Sequence, residues 1–131
     1  MNDYLALKAA LDGFAGLYAL IGTRSFQGIM PSGTPLPAVT YSRVSGGEEL
    51  GAESNPGICH ARIQVTAFGN TALEANQVAM QVKLALDRMR NVMVGGVVVD
   101  DCFWQGFGPD IVDPDTRIPS VPADYVIHYR E

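Results

Sequence analysis

The stretch ARIQVTAFGNTALEANQVAMQVKLALD, residues 61–87, decides the fold because it joins a strand pattern directly to a helix pattern. Ile63, Val65 and Ala67 alternate with polar residues, which is typical of a strand with one wet face, and this strand is predicted to begin at Cys59. Thr71 is followed three residues later by Glu74, a capping box that predicts the start of a helix. The apolar residues of that helix share one face: Ala75, Ala79, Val82, Leu86 and Met89.

The N-terminal segment predicts another helix, from Asp3 to about Ile21. Its apolar residues recur at the three-four spacing of one helical face: Tyr4, Leu7, Leu11, Phe14, Tyr18 and Ile21. Two internal glycines lower its helix propensity, so a break near Asp12-Gly13 into two shorter helices is the alternative to one continuous helix.

Three further segments alternate as strands do. They are AVTYSRVS (38–45), VVVDDCFWQGF (97–107), which follows a Gly-Gly turn and has a bulge expected at Asp100-Asp101, and the terminal VPADYVIHYR (121–130). The proline-rich QGIMPSGTPLP (27–37) predicts a loop. We therefore predict one α+β domain over residues 1–131: an antiparallel sheet of about four strands with two helices packed on one face. The other face must be polar or covered by a partner.

Composition and charge exclude some classes of protein. A chain of 131 residues with 47% hydrophobic residues has enough apolar side chains for one hydrophobic core, and a net charge of −5 argues against a protein that reads nucleic-acid sequence. No apolar run approaches the roughly 20 residues of a membrane helix, and no export signal is expected at the N-terminus. Cys59 and Cys102 are predicted to be buried, reduced thiols.

The segment PDIVDPDTRIPS (109–120) raises the question of a metal site. Asp110, Asp113 and Asp115 would supply oxygen ligands, but they lack the spacing and the distant Glu of a calcium loop. Asp-Pro is also ordinary turn chemistry. We predict a turn-rich contact loop and no metal.

No catalytic or cofactor-binding residue is predicted. His60 and His128 have no second ligand at zinc spacing, and Cys59 and His60 would point to opposite faces of one strand. A small ligand-binding domain or enzyme remains an alternative, because Phe103, Trp104 and Phe107 with Asp100 and Asp101 would line its pocket.

Four segments taken together resemble a known family. They are IGTRSFQGIMPSGTPLPAVTYSRVSG (21–46), the stretch at 61–87, GGVVV (95–99) and VDPDTRIPSVPADYVIHYRE (112–131). In this order they are similar to the tail completion proteins of long-tailed bacteriophages, the tail terminators that join tail to head. The chain departs from the pattern at Ser25 and at Arg117-Ile118-Pro119.

The resemblance implies a ring-forming subunit, commonly a homo-hexamer, in the virion tail at its head-proximal end, assembled in the host cytoplasm. Its partners would be the tail tube protein and the head-tail connector or stopper protein. DNA would pass through the lumen without specific binding, and no cofactor or membrane is implied. A different head-tail connector or minor tail ring protein is the nearest alternative.

Two acidic loops are predicted to reach the neighbouring rings, around residues 46–57 and 109–120. A flexible acidic loop would bind where its partner supplies positive charge. The candidate inter-ring contacts are Glu48, Glu49, Glu53, Asp110, Asp113, Asp115 and Arg117.

Overall fold

The computed structural model describes residues 2–48, 58–87 and 89–130, apart from the side chain of Glu48. Within these residues lie three helices and seven strands, which confirms the α+β class but gives more strands than the four or so predicted. In chain order the elements are α1 (Asn2–Gly13), α2 (Ala15–Ile21), β1 (Ser25–Gln27), β2 (Ala38–Glu48), β3 (Ile58–Phe68), α3 (Ala72–Leu86), β4 (Arg90–Val94), β5 (Val97–Phe107), β6 (Ile111–Val112) and β7 (Pro119–Arg130).

One sheet contains all of these strands, in the order β1-β2-β3-β7-β5-β4, with β6 also paired to β7. All pairs are antiparallel except β1 with β2. Strand β7 lies in the middle of the sheet and pairs with β3 from Ile58↔Arg130 to Phe68↔Ser120. The last strand of the fold therefore joins its two halves.

The additional strands β1, β4 and β6 are short. β1 has three residues, one of them in the segment predicted as a loop, and β6 has two residues inside the predicted contact loop. β4 forms a hairpin with β5 around Gly95 and Gly96, whose positive φ angles of 59° and 79° suit the tight turn. β1 and β6, with three and two residues, are too short to show a period of two, so the sequence pattern does not reveal them.

The first predicted helix is broken in two. Phe14 has an extended backbone between α1 and α2, and the two helix axes meet at 83°. The break changes which residues are inside: Leu17 is buried, whereas Tyr18 of the predicted stripe is 54% exposed. No single helix in the described residues has the length and apolarity to cross a membrane, and only the bent pair α1 and α2 reaches that length together.

Helices α1 and α3 pack on one face of the sheet, and α2 packs against both of them. The predicted start of α3 is confirmed, because Thr71 Oγ1 accepts a hydrogen bond from the Glu74 amide at 3.1 Å. The Glu74 carboxylate in turn accepts one from the Asn70 amide at 2.8 Å. The largest fully buried side chains include Leu7, Leu11, Ile63, Val78, Tyr125 and Ile127.

The predicted bulge in β5 is confirmed by a register shift between Val99 and Asp101. The inner positions of β5 shift beyond the bulge: Val97, Val99 and Cys102 are buried, whereas Phe103 is 41% exposed. The bulge inserts one residue, so the alternation changes phase after it.

Candidate assembly surfaces

The first predicted contact loop begins later than expected. Gly46 and Gly47 belong to β2, and the pairing continues through Gly47↔His60 and Glu48↔Cys59. Gly46 lies close against β3, since a Cβ there would come within 2.8 Å of the His60 carbonyl oxygen. The side chain of Glu48, and both Glu49 and Glu53, lie outside the described residues.

The second predicted contact loop is a closed β-hairpin. Ile111 pairs with Ser120 and Val112 with Pro119, so residues 113–118 form the turn. We call residues 110–120 the acidic hairpin. The predicted loop is therefore an ordered element with its own backbone pairing.

Asp113 holds the turn of the acidic hairpin together. Its Oδ1 accepts hydrogen bonds from the amides of Asp115 at 2.8 Å and Thr116 at 3.1 Å, and its carbonyl oxygen accepts one from the Arg117 amide at 2.7 Å. The bonds from the Thr116 and Asp115 amides lower the pKa of the Asp113 carboxyl. Arg117 has a φ of 60°, which ends the turn. An Asx turn of this kind orders the loop before any partner binds.

The other charged residues of the acidic hairpin differ in what they contact. Asp110 Oδ2 accepts a hydrogen bond from the Asn76 side chain at 3.3 Å, which connects the base of the hairpin to α3. The side chains of Asp115 and Arg117 are exposed and make no hydrogen bond or ion pair with any described residue. These two side chains are available to a partner.

A groove of about 590 Å³ lies between the acidic hairpin and the segment that follows β1. Its lining is mainly apolar, and we call it the hairpin groove: Gly28, Ile29, Met30, Thr40, Phe68, Ile111, Asp113, Pro114, Thr116, Ile118 and Ser120. Ile29 is 86% exposed at its mouth. The sequence pattern did not indicate Ile29 as a surface residue, since a single aliphatic residue in a loop can be buried or exposed.

The face of the sheet without helices is polar at its centre. Three cross-strand polar pairs lie on it: a hydrogen bond of 2.6 Å between His128 Nδ1 and Asp101 Oδ1, and two ion pairs, Arg62 with Asp124 at 3.1 Å and Arg130 with Asp100 at 3.3 Å. Most of these side chains are partly exposed, so each pair contributes little stability. This face needs no cover to be stable in water.

The aromatic residues of the alternative ligand site pack against other side chains of the described structure. Trp104 packs against Phe107 with ring centres 5.1 Å apart, and Lys83 Nζ lies 3.9 Å from the centre of the indole ring. Phe103 is covered by the Arg90 guanidinium at 4.4 Å. None of these three aromatic residues lines the hairpin groove or the smaller cavity between α2 and α3.

The candidate cysteine, histidine and metal-binding residues are not arranged as a reactive site among the described residues. Cys59 is buried on the helix side while His60 is half-buried on the other face, as the strand alternation predicts. Burial raises the pKa of the Cys102 thiol to about 12, which removes its nucleophilic thiolate at neutral pH. Within the described residues, no group of three or more His, Cys, Asp or Glu side chains is arranged to hold a metal.

Comparison with known proteins identifies the family. Residues 5–129 match the family described as tail completion protein gp17, a match that runs from α1 through β7. The chain belongs to this family. As a tail completion protein it is a structural component of a phage-type virion tail.

Solved structures share the fold of this tail completion protein. A chain in the structure titled "Virion of native gene transfer agent (GTA) particle" aligns with a TM-score of 0.69 at 14% identity, covering 96% of this chain and 92% of its own length. A second solved chain aligns with a TM-score of 0.57 at 14% identity, covering 100% of this chain and 97% of its own. A search of curated proteins finds no match. At this level of identity the two structures establish the fold alone.

Proposed function

We propose that this tail completion protein is a tail terminator. It forms a hexameric ring on the head-proximal end of the tail tube, ends tube polymerisation and presents a docking surface to the head-tail connector. The observation that carries the proposal is the family match over residues 5–129. No step of this function requires catalysis or a cofactor.

The arrangement of the sheet supports a ring. Its two outer strands, β1 and β4, each pair with one neighbour only among the described strands. The residues of β4 from Arg90 to Met93 are exposed. Unpaired strand edges of this kind are places where proteins associate. A ring needs two different contact surfaces on each subunit, and two open edges on opposite sides of one sheet provide them.

The charges support contact with other tail proteins and free passage of DNA. The ordered acidic hairpin presents Asp115 and Arg117 without the entropy cost of ordering a loop on binding, and we propose this hairpin, in place of a flexible loop, as the contact element. Glu48, Glu49, Glu53 and Asp110 are proposed as further inter-ring contacts. The net charge of −5 disfavours binding of DNA as it moves through the lumen.

The test is electron microscopy of particles from the parent element with this gene deleted. Overlong or unattached tails beside separate filled heads are expected, and a plasmid copy of the gene should restore joined particles. Normal tails joined to heads would overturn the terminator role. The chain would then be assigned to another head-tail connector or minor tail ring protein.

A second set of complemented particles tests the role of the hairpin charge. The Asp115→Lys variant is expected to give fewer joined particles than Asp115→Glu, which keeps the charge. Equal numbers of joined particles from the two variants would show that Asp115 makes no contact needed for assembly.

A further inference from the structure

We propose that the hairpin groove of one copy receives the β4 edge of the next copy, with Met93 as the side chain that inserts. This inference rests on the proposed ring and names the surfaces that close it. It makes the lateral contact heterologous, so that the groove side of one copy always meets the β4 side of another.

The groove has the properties of a preformed receptor site. Its volume of about 590 Å³ is within the usual range for small-molecule sites, so it has room for a methionine side chain together with part of its strand. Ile29, Ile111 and Ile118 supply apolar lining, and Ile29 and Ile111 leave 86% and 49% of their surface exposed. Hydrogen bonds within the turn fix one wall, so the groove exists before a partner arrives.

The β4 edge carries the matching apolar projection. Met93 is 71% exposed and Val92 is 38% exposed, on a strand whose second side is open among the described residues. Methionine is flexible enough to fill an irregular apolar cavity. No lysine or proline protects this edge from pairing.

Charge complementarity favours a second copy as the occupant. Asp113 lines the groove and Asp115 follows it in the same turn, whereas Arg90 begins β4 three residues before Met93. Arg90 Nη1 donates hydrogen bonds to the carbonyl oxygens of Met89 and Cys102, both at 2.7 Å. The Arg90 side chain is nevertheless exposed beside the open edge of β4. An inserted Met93 therefore brings a cation towards the acidic turn.

The position of the two surfaces is suited to a ring. The groove is built from the segment after β1, from β2 and β3, and from the acidic hairpin with β7, while β4 is the strand at the other end of the sheet order. The tip of the β4–β5 hairpin packs closely against α1, since a Cβ on Gly95 would lie 2.8 Å from the Leu5 carbonyl oxygen. Two rigid, different patches on opposite sides of a subunit give head-to-tail contacts, which close when the rotation permits.

The experiment joins purified single-cysteine variants with a short bis-maleimide. Met93→Cys and Ile29→Cys each add one exposed thiol, while Cys59 and Cys102 are buried. The mixture of the two variants is expected to give a covalent dimer that neither variant gives alone. A mixture of Met93→Cys with Leu73→Cys is the control, since Leu73 is 69% exposed on α3 and outside the groove.

Three outcomes overturn the proposal: no dimer in the mixture, equal dimer with the Leu73→Cys control, or strong dimer in the Met93→Cys sample alone, which would mean an isologous contact. Adding Asp115→Lys to the Ile29→Cys variant is expected to lower the dimer yield by about fivefold, as for loss of one charge pair at a contact. An unchanged dimer yield would show that charge attraction to Asp115 does not contribute to the contact. Because the measurement uses purified protein, its failure is independent of the particle microscopy that tests the tail terminator role.

Discussion

The two faces of the central strands differ in how they are built. On the helix side, Ile63, Tyr125 and Ile127 are fully buried. Burial raises the pKa of the Tyr125 phenol above its ordinary value. On the opposite face, Arg62 and Asp124 pair across the strands while partly exposed. Stability therefore comes from one face, and the other tolerates change.

The largest expected effect compares two neighbouring residues of β7. Ile127→Ala removes a fully buried side chain, so a loss of about 3 kcal/mol in the free energy of unfolding is expected. Val126→Ala, half-buried on the other face, should cost about 1 kcal/mol. Urea denaturation of both variants measures the difference, and equal losses would contradict the contrast between the faces.

The second comparison concerns two ion pairs. Burial of the Asp3 side chain acts to raise the pKa of its carboxyl. Two hydrogen bonds of 2.7 Å donated by Arg43, the Arg43 charge and further nearby positive charge together more than offset this effect, so the Asp3 pKa is lowered. Asp3→Asn should cost about 2 kcal/mol, reduced from the value of a fully buried pair because Arg43 is partly exposed. Asp124→Asn, in the exposed pair with Arg62, should cost about 0.5 kcal/mol.

The Asp3 pair also has a pH signature. Because the folded-state pKa lies below the ordinary 3.8, the stabilisation is complete above that value and is lost as the pH falls through the lowered pKa. The stability gap between the unmodified protein and Asp3→Asn should therefore be widest at neutral pH and narrow below pH 3.8. A gap independent of pH would show that the charge of Asp3 is not its source.

The third prediction concerns the helix that covers the inner face. Thr71→Ala removes the acceptor for the Glu74 amide at the start of α3, and a loss of about 1 kcal/mol is expected. Thr71→Ser keeps a hydroxyl and should stay close to the unmodified protein in thermal unfolding. If serine and alanine cost the same, the hydroxyl is not the stabilising group.

The smallest expected effect lies in the acidic hairpin. Asp113→Ala removes the acceptor of two amide hydrogen bonds, so faster hydrogen exchange is expected at Asp115 and Thr116, with global stability changed by less than about 0.5 kcal/mol. Asp115→Ala is the matched control and should leave these exchange rates unchanged. Equal acceleration in both variants would mean that Asp113 does not hold the turn.

Local patterns predicted the parts of the fold that are long and periodic. The strand and helix around residues 61–87 were predictable because β3 alternates over its whole length and α3 begins with a capping box. The break after Gly13 was one of two alternatives, since glycine spacing indicates a weak point but not a bend of 83°. β6 was not predictable, because two residues have no period.

Long-range contacts were beyond the reach of the sequence. Asp3 was predicted as the start of the first helix, but its side chain pairs with Arg43, forty residues away in sequence. Ile29 and Met93 were missed as surface residues, because exposure of an aliphatic side chain depends on what the fold places over it. The predicted contacts at Glu49 and Glu53 lie outside the described residues and stay predictions.

The central position of β7 has a consequence for synthesis in the cell. β3 and β5 are made first, but they are joined in the sheet only through β7, from Pro119 to Arg130. A nascent chain that lacks β7 has two separate strand groups with open inner edges, and such non-local pairing forms late. The hairpin groove also needs Ser120 and the pairing of β6 with β7. A truncated translation product therefore cannot form the hairpin groove, so under the proposed ring contact it would not be built into a growing particle.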